Sequence, residues 1–129
     1  MRLLGIDYGE KWIGVAYSQG YLSEALTQFT RKEAIGRLEV VCSKLQIEEI
    51  IMGLPEGRIA PQVRLFAAQL AERLHLPVRL WDETLSTHLA DTQLVMSGMR
   101  RKKRVEKIHQ YAAAHLLAAY LEQTKNDPR

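Results

Sequence analysis

Two short apolar runs open the chain, LLGI at 3–6 and WIGVAY at 12–17, separated by Asp7, Tyr8, Gly9, Glu10 and Lys11. This is the pattern of two strands joined by a glycine-bearing turn. A third strand is expected at 25–29, where Thr27 and Gln28 interrupt the apolar pattern. From Arg31 the period lengthens: Ala34, Ile35, Leu38, Val41, Cys42 and Leu45 recur on one face of a helix of about fourteen residues. Residues 49–53 then read as a short buried strand, ended by Gly53 and Pro55. Pro61 suits the first turn of a second helix, with Val63, Phe66, Ala67, Leu70 and Leu74 as its buried stripe. Pro77 introduces VRLW, a fifth strand at 78–81. Thr84, Ser86 and Thr87 follow, suited to cap a third helix that Ser97 and Gly98 close. A last helix is expected over about 102–124, with Val105, Ala112, Ala113, Leu116, Leu117 and Tyr120 on one side, and 126–129 as a frayed tail. The order β-β-β-α-β-α-β-α-α predicts an α/β fold: a mixed central sheet, antiparallel in its first three strands and parallel thereafter, flanked by helices. Trp12 and Trp81, at or near strands, are expected in the core.

At 129 residues the chain fits one domain, expected over 1–125, and at this size roughly two thirds of the unfolded surface can be buried. No apolar run approaches the ~18 residues of a membrane span. MRLLGID is too short, and too soon interrupted by Asp7, for the apolar region of a signal peptide. A cytoplasmic protein with no membrane partner is therefore expected. Cys42 is the single cysteine, which excludes an intrachain disulfide and a cysteine-based zinc site, and it reads as a small buried apolar residue. The net charge of +3 is mild but unevenly placed. Arg100, Arg101, Lys102, Lys103, Arg104 and Lys107 face only Glu106, and elsewhere 12 basic residues meet 14 acidic ones. Positive potential is thus concentrated where a polyanion can be held, although such a cluster also suits the solvated start of a helix.

Three positions carry candidate chemistry. Asp7 closes an apolar strand, the end of a sheet at which α/β proteins place ligands, although aspartate also sets hairpin turns. Gly5, Gly9 and Gly14 leave nearby backbone uncovered, so that a phosphate or hydrated metal has room to approach. Asp82 and Glu83 repeat the arrangement at the end of a second apolar strand. Hard divalent cations take oxygen ligands, so two strand ends bearing carboxylates suit Mg²⁺, while either residue alone also suits a helix cap. His109 shares a helix face with Ala113, Leu116 and Tyr120, since at 100° per residue these positions fall within about 40° of one another. It should face the sheet, as a core histidine, a third metal ligand or a general base. His75, His88 and His115 show no such alignment and read as surface or packing residues.

GIDYGEKWIGVAYS at 5–18, IIMGLPEG at 50–57, VRLWDETLSTHLA at 78–90 and the AA..LL..YL helix at 112–121 together resemble the YqgF family, also called RuvX. Its members are described as Holliday junction resolvases and as pre-16S ribosomal RNA nucleases. The resemblance covers nearly the whole chain, and four motifs in order are more specific than any one. It implies an RNase H-like fold and a nuclease working with two Mg²⁺ (or Mn²⁺) ions. Asp7 is then the first-strand acid, Glu83 with Asp82 beside it is the second acidic position, and Lys11 and the 100–107 basic residues hold flanking phosphates. The family usually has a third aspartate where this chain has His109, and the related RuvC-type resolvases can carry histidine on the matching helix. Gln19 and Thr84 also depart from the family pattern, which has aspartate and arginine there, and the loop after Pro55 is shorter.

The substrate implied is structured RNA precursor, at the 5′ end of pre-16S ribosomal RNA, or branched DNA. A resolvase must cut two strands symmetrically, which demands a dimer. No dimer seam is recognisable, so a monomer or weak homodimer is expected. A binding factor that kept the fold and lost cleavage is the rival reading, with His109 as its argument. The Asp7–Gly9 hairpin also resembles the phosphate-binding hairpin of actin-like and sugar-kinase ATPases. Those proteins close two domains around ATP, and no glycine-rich adenine loop is visible in this chain.

Overall fold

A computed structural model describes residues 1–82 and 101–125, with backbone alone at 101–105 and 125. Strands β1 (Leu3–Tyr8), β2 (Trp12–Ser18) and β3 (Ser23–Thr30) lead into helix α1 (Arg31–Leu45). Then follow β4 (Glu49–Leu54), α2 (Ala60–Leu74), β5 (Val78–Asp82) and a long helix, α3 (Arg101–Lys125). The expected helix between Glu83 and Gly98, and the 126–129 tail, lie outside the described residues.

The five strands form one sheet in the order β3-β2-β1-β4-β5. β1 pairs antiparallel with β2 and parallel with β4, and β4 runs parallel to β5, so the sheet is mixed as expected. β1 sits at the centre and is buried along its whole length, which explains its unbroken apolar run. Alternation sends Leu4, Ile6 and Tyr8 to one face, where they pack with Leu38 of α1 and with Val63, Phe66 and Leu70 of α2. The other face takes Leu3, Ala16 and Ile51 against Ala113, Leu117 and Tyr120 of α3. Trp81 joins this second cluster, meeting Tyr120 edge-on at 5.4 Å. Arg79 of β5 donates to Glu49 Oε1 at 2.9 Å and lies over the Tyr120 ring, tying the β5 edge to both neighbours.

Two sequence expectations are corrected. Trp12 is 40% exposed at the start of β2 and is not a core residue. The third strand is longer than 25–29, pairing with β2 from Ser23 to Thr30, and a bulge opposite Val15 and Ala16 leaves Leu26 without a partner and shifts its alternation midway.

Cys42 is buried on α1, and burial pushes its thiol up to about 11 from an ordinary value of 9.0. Between those values the folded protein keeps a proton that the unfolded chain has lost. The thiol's contribution to stability is therefore complete below about pH 9 and fades as the pH rises to about 11. At pH 8 a thiol reagent should leave native Cys42 unlabelled and modify it rapidly once denaturant is added. Fast labelling of the folded protein would show that the thiol is accessible.

Candidate functional site

Asp7 lies on the α3 face of β1, one residue before the strand ends, and is 2% exposed. Its cross-strand partner is Gly14 of β2, and Gly14 in turn pairs with Gln28 of β3. Asp7, Gly14 and Gln28 thus form one row across three strands. α3 crosses this row at His109.

The contact is close because nothing at Gly14 keeps the helix away. A Cβ there would overlap the His109 carbonyl and stand 2.5 Å from the Gln110 nitrogen. Gly5 continues the trough: a Cβ on it would meet the Ala113 carbonyl and Leu117 Cβ at 3.0 Å. These glycines were expected to leave backbone open for a phosphate or a hydrated metal. At Gly5 and Gly14 the space is filled by α3 instead, whose small residues Ala112 and Ala113 are fully buried.

With the helix this low, the His109 ring reaches Asp7. Nδ1 lies 2.5 Å from Asp7 Oδ2, joining residues 102 apart in sequence. An ionised carboxylate can only accept, so Nδ1–H donates and Nε2 is left as the ring's other functional atom. The Cε1–Nε2 edge lies over Gly9, where an added Cβ would stand 2.5 Å from Cε1 and 3.0 Å from Nε2. Gly9 also closes the β1–β2 turn by donating its N–H to the Trp12 carbonyl at 2.9 Å. On the far side of the row the Gln110 N–H donates to Gln28 Oε1 at 3.3 Å, and Ser23 Oγ donates to the Ala114 carbonyl at 2.7 Å. Gln28 and Ser23 were not anticipated as residues that seat α3. The signal for Gln28 was present as the polar interruption of the third strand.

The other predicted positions divide. Asp82 ends β5 in register with Leu54, so alternation gives it the row of Leu54 and Leu80, which pack on the α1–α2 face opposite Asp7. Glu83 and Arg100 lie outside the described residues, and Arg101, Lys102, Lys103 and Arg104 lie on the opening turns of α3. Lys11 in the β1–β2 turn and Lys107, two residues before His109, are exposed. His115 is half-buried on α3, and burial lowers its pKa, in keeping with a packing role. Among the described residues no three His, Cys, Asp or Glu side chains gather as a metal-binding group. No helix among them is long and apolar enough to cross a membrane.

A profile of the RuvX family, described as Holliday junction resolvase, matches residues 1–123. The chain belongs to the RuvX family. Among RuvX-like relatives, a protein of Syntrophomonas wolfei is 38% identical over 133 residues, covering 95% of this chain and 94% of its own length. One of Lachnospira eligens is 39% identical over 136 residues, covering 95% and 97%. Both bear the name "Putative pre-16S rRNA nuclease". Among solved structures, Thermus thermophilus RuvC in complex with a Holliday junction substrate superposes with a TM-score of 0.56 at 16% identity, covering 100% of this chain and 99% of its own. At that identity the likeness establishes the fold: the RuvX chain has the RuvC-like, RNase H-type α/β architecture.

Proposed function

We propose that this RuvX chain is a metal-dependent endonuclease that hydrolyses phosphodiester bonds in nucleic acid, acting on the 5′ end of pre-16S ribosomal RNA. One observation carries the reading: a carboxylate 2% exposed at a strand end is bonded to an imidazole delivered by the last helix. A buried acid in an apolar layer is costly unless something compensates its charge, and a polar pair at a sheet end is where such a cost serves binding or chemistry. The relatives' names and the family description favour phosphodiester cleavage over other chemistries of such a pair.

The donor set fits a divalent ion. Asp7 offers carboxylate oxygen and His109 imidazole nitrogen, with Glu83 proposed as the third donor; Mg²⁺ prefers the oxygens and Mn²⁺ also accepts the imidazole. A bound ion would polarise the scissile phosphoryl group and lower the pKa of a water molecule. Asp7 fixes the tautomer and tilt of His109 through Nδ1, so that Nε2 is the atom left to ligate or to take a proton. Lys11 and Lys107 are exposed beside this end and, with Arg100, Arg101, Lys102, Lys103 and Arg104, would neutralise flanking phosphates. Among the carboxylates seen, Asp7 is the one on the α3 face at this sheet end, and Asp82 is assigned no more than an outer role.

A second reading, a four-way junction resolvase, is favoured by the family description and requires a dimer. Incubating the purified protein with a ribosomal RNA precursor beside a four-way DNA junction, with Mg²⁺, with Mn²⁺ and with chelator, separates the two. Cleavage of the RNA alone, lost with chelator, is expected. Symmetric cutting of the junction by a dimer would replace the RNA assignment. Binding of both without products would leave a nucleic-acid-binding factor. His109→Ala should lower cleavage by about 10- to 100-fold, the range typical for removing a group that orients or tunes a metal site.

A further inference from the structure

A pocket of about 500 Å³ opens on the other face of the sheet, between α1 and α2 at the end of β1. Tyr8, the residue after Asp7, forms its floor with Phe66, the ring centroids 5.0 Å apart. The Arg31 guanidinium lies over the Tyr8 ring at 5.2 Å and is held there by an Nη1–H bond to the Glu10 carbonyl at 3.0 Å. Lys32 follows it on the rim. From α2 come Gln62 and Gln69, seven residues apart and so on one helix face, with Leu65 between them 61% exposed. Glu10 also lines the pocket, one acidic residue against two cations.

We infer that this pocket receives an unpaired nucleotide of the substrate strand, next to the scissile phosphate that the proposed function places at the Asp7 end of β1. The inference rests on reading the chain as a nuclease and adds a second point of contact to it. The size exceeds what an inorganic anion fills and lies within the range for a small organic ligand. A guanidinium held over an aromatic ring places a planar cation beside a π-face, the two kinds of group against which bases pack. The two glutamine amides supply donors and acceptors for a base edge, and Leu65 supplies apolar contact. Arg31 and Lys32 suit the nucleotide's phosphate. Asp7 and Tyr8 are consecutive but face opposite sides of the sheet, so a strand bent over the Gly9–Lys11 turn can place a phosphate on one side and a base on the other. Single-stranded segments bend this way, whereas paired bases are not free to enter. The pocket therefore selects for an unpaired stretch beside the cut.

The test uses the full chain in chelator, where no turnover occurs, and follows the side-chain amide NMR signals of Gln62 and Gln69 as a single-stranded RNA hexamer is added. Saturable shifts of both amides are expected, with no comparable shift from inorganic phosphate at the same concentration. The exposed pair Gln62→Ala/Gln69→Ala should keep the parent melting temperature and bind the hexamer about tenfold more weakly, with a matching rise in KM and little change in kcat. Unmoved amides at saturating hexamer, equal shifts from phosphate alone, or affinity within about twofold of the parent would overturn the pocket assignment. Amide shifts in a protein that cleaves no nucleic acid even with Mg²⁺ or Mn²⁺ would support the pocket and count against the nuclease reading.

Discussion

Asp7→Asn should abolish measurable cleavage while leaving the protein folded, a loss on the order of 100- to 1,000-fold if a residual rate can be read at all. Asparagine keeps an oxygen where Oδ2 now accepts the His109 Nδ1–H, so the link between β1 and α3 survives. What disappears is the negative charge. A buried carboxylate carries a desolvation cost, so the variant's melting temperature should hold or rise. Rate loss with retained stability is the signature of a residue whose charge serves chemistry. An Asp7→Asn protein that cuts within about tenfold of the parent would mean that Asp7 only positions His109, and the catalytic centre would have to be sought elsewhere.

Gly14→Ala should damage both stability and activity through a residue that has no functional group. Its Cβ would occupy the space of the His109 carbonyl, and helix backbone cannot swing aside as a flexible side chain can. α3 must lift, loosening its buried contacts at Ala112, Ala113, Leu116 and Leu117 and drawing the imidazole from Asp7. The expected cost is about 1–3 kcal/mol, the usual range for overpacking, and several degrees in melting temperature. Cleavage should fall along with the fraction of molecules in which His109 reaches Asp7. Gly36→Ala on α1 is the control: nothing lies within 4 Å of the added Cβ, and alanine in a helix interior should stabilise by about 0.5–1 kcal/mol. If Gly14→Ala melts with the parent and retains its activity, the close seating of α3 is not what holds the site together.

Much of the framework was legible because burial leaves a period in the chain. β1, β4 and the inward faces of α1 and α2 lie close to where their apolar residues recur, and the mixed sheet follows from that order. β3 was legible only in part, since the bulge at Leu26 changes which face each following residue takes. Trp12 misled because a strand-forming residue at a strand's first position need not be covered. The helical register of His109 correctly turned it toward the sheet. The side that Asp82 takes was less readable, because alternation along β5 does not say which face is which and only pairing with β4 reveals it.

The linear order of residues determined which of the described segments become strands and helices, that Cys42 is buried, that Asp7 closes an apolar strand at a sheet end, and that His109 turns toward the sheet. Only the tertiary structure decided that these two meet, and that the glycines between them serve a helix rather than a ligand. The reason is physical: periodicity reports the direction a side chain faces, which is local. Separation across a packed interface is set by the residues of two distant segments together, here by the missing side chain of Gly14 under the backbone of His109.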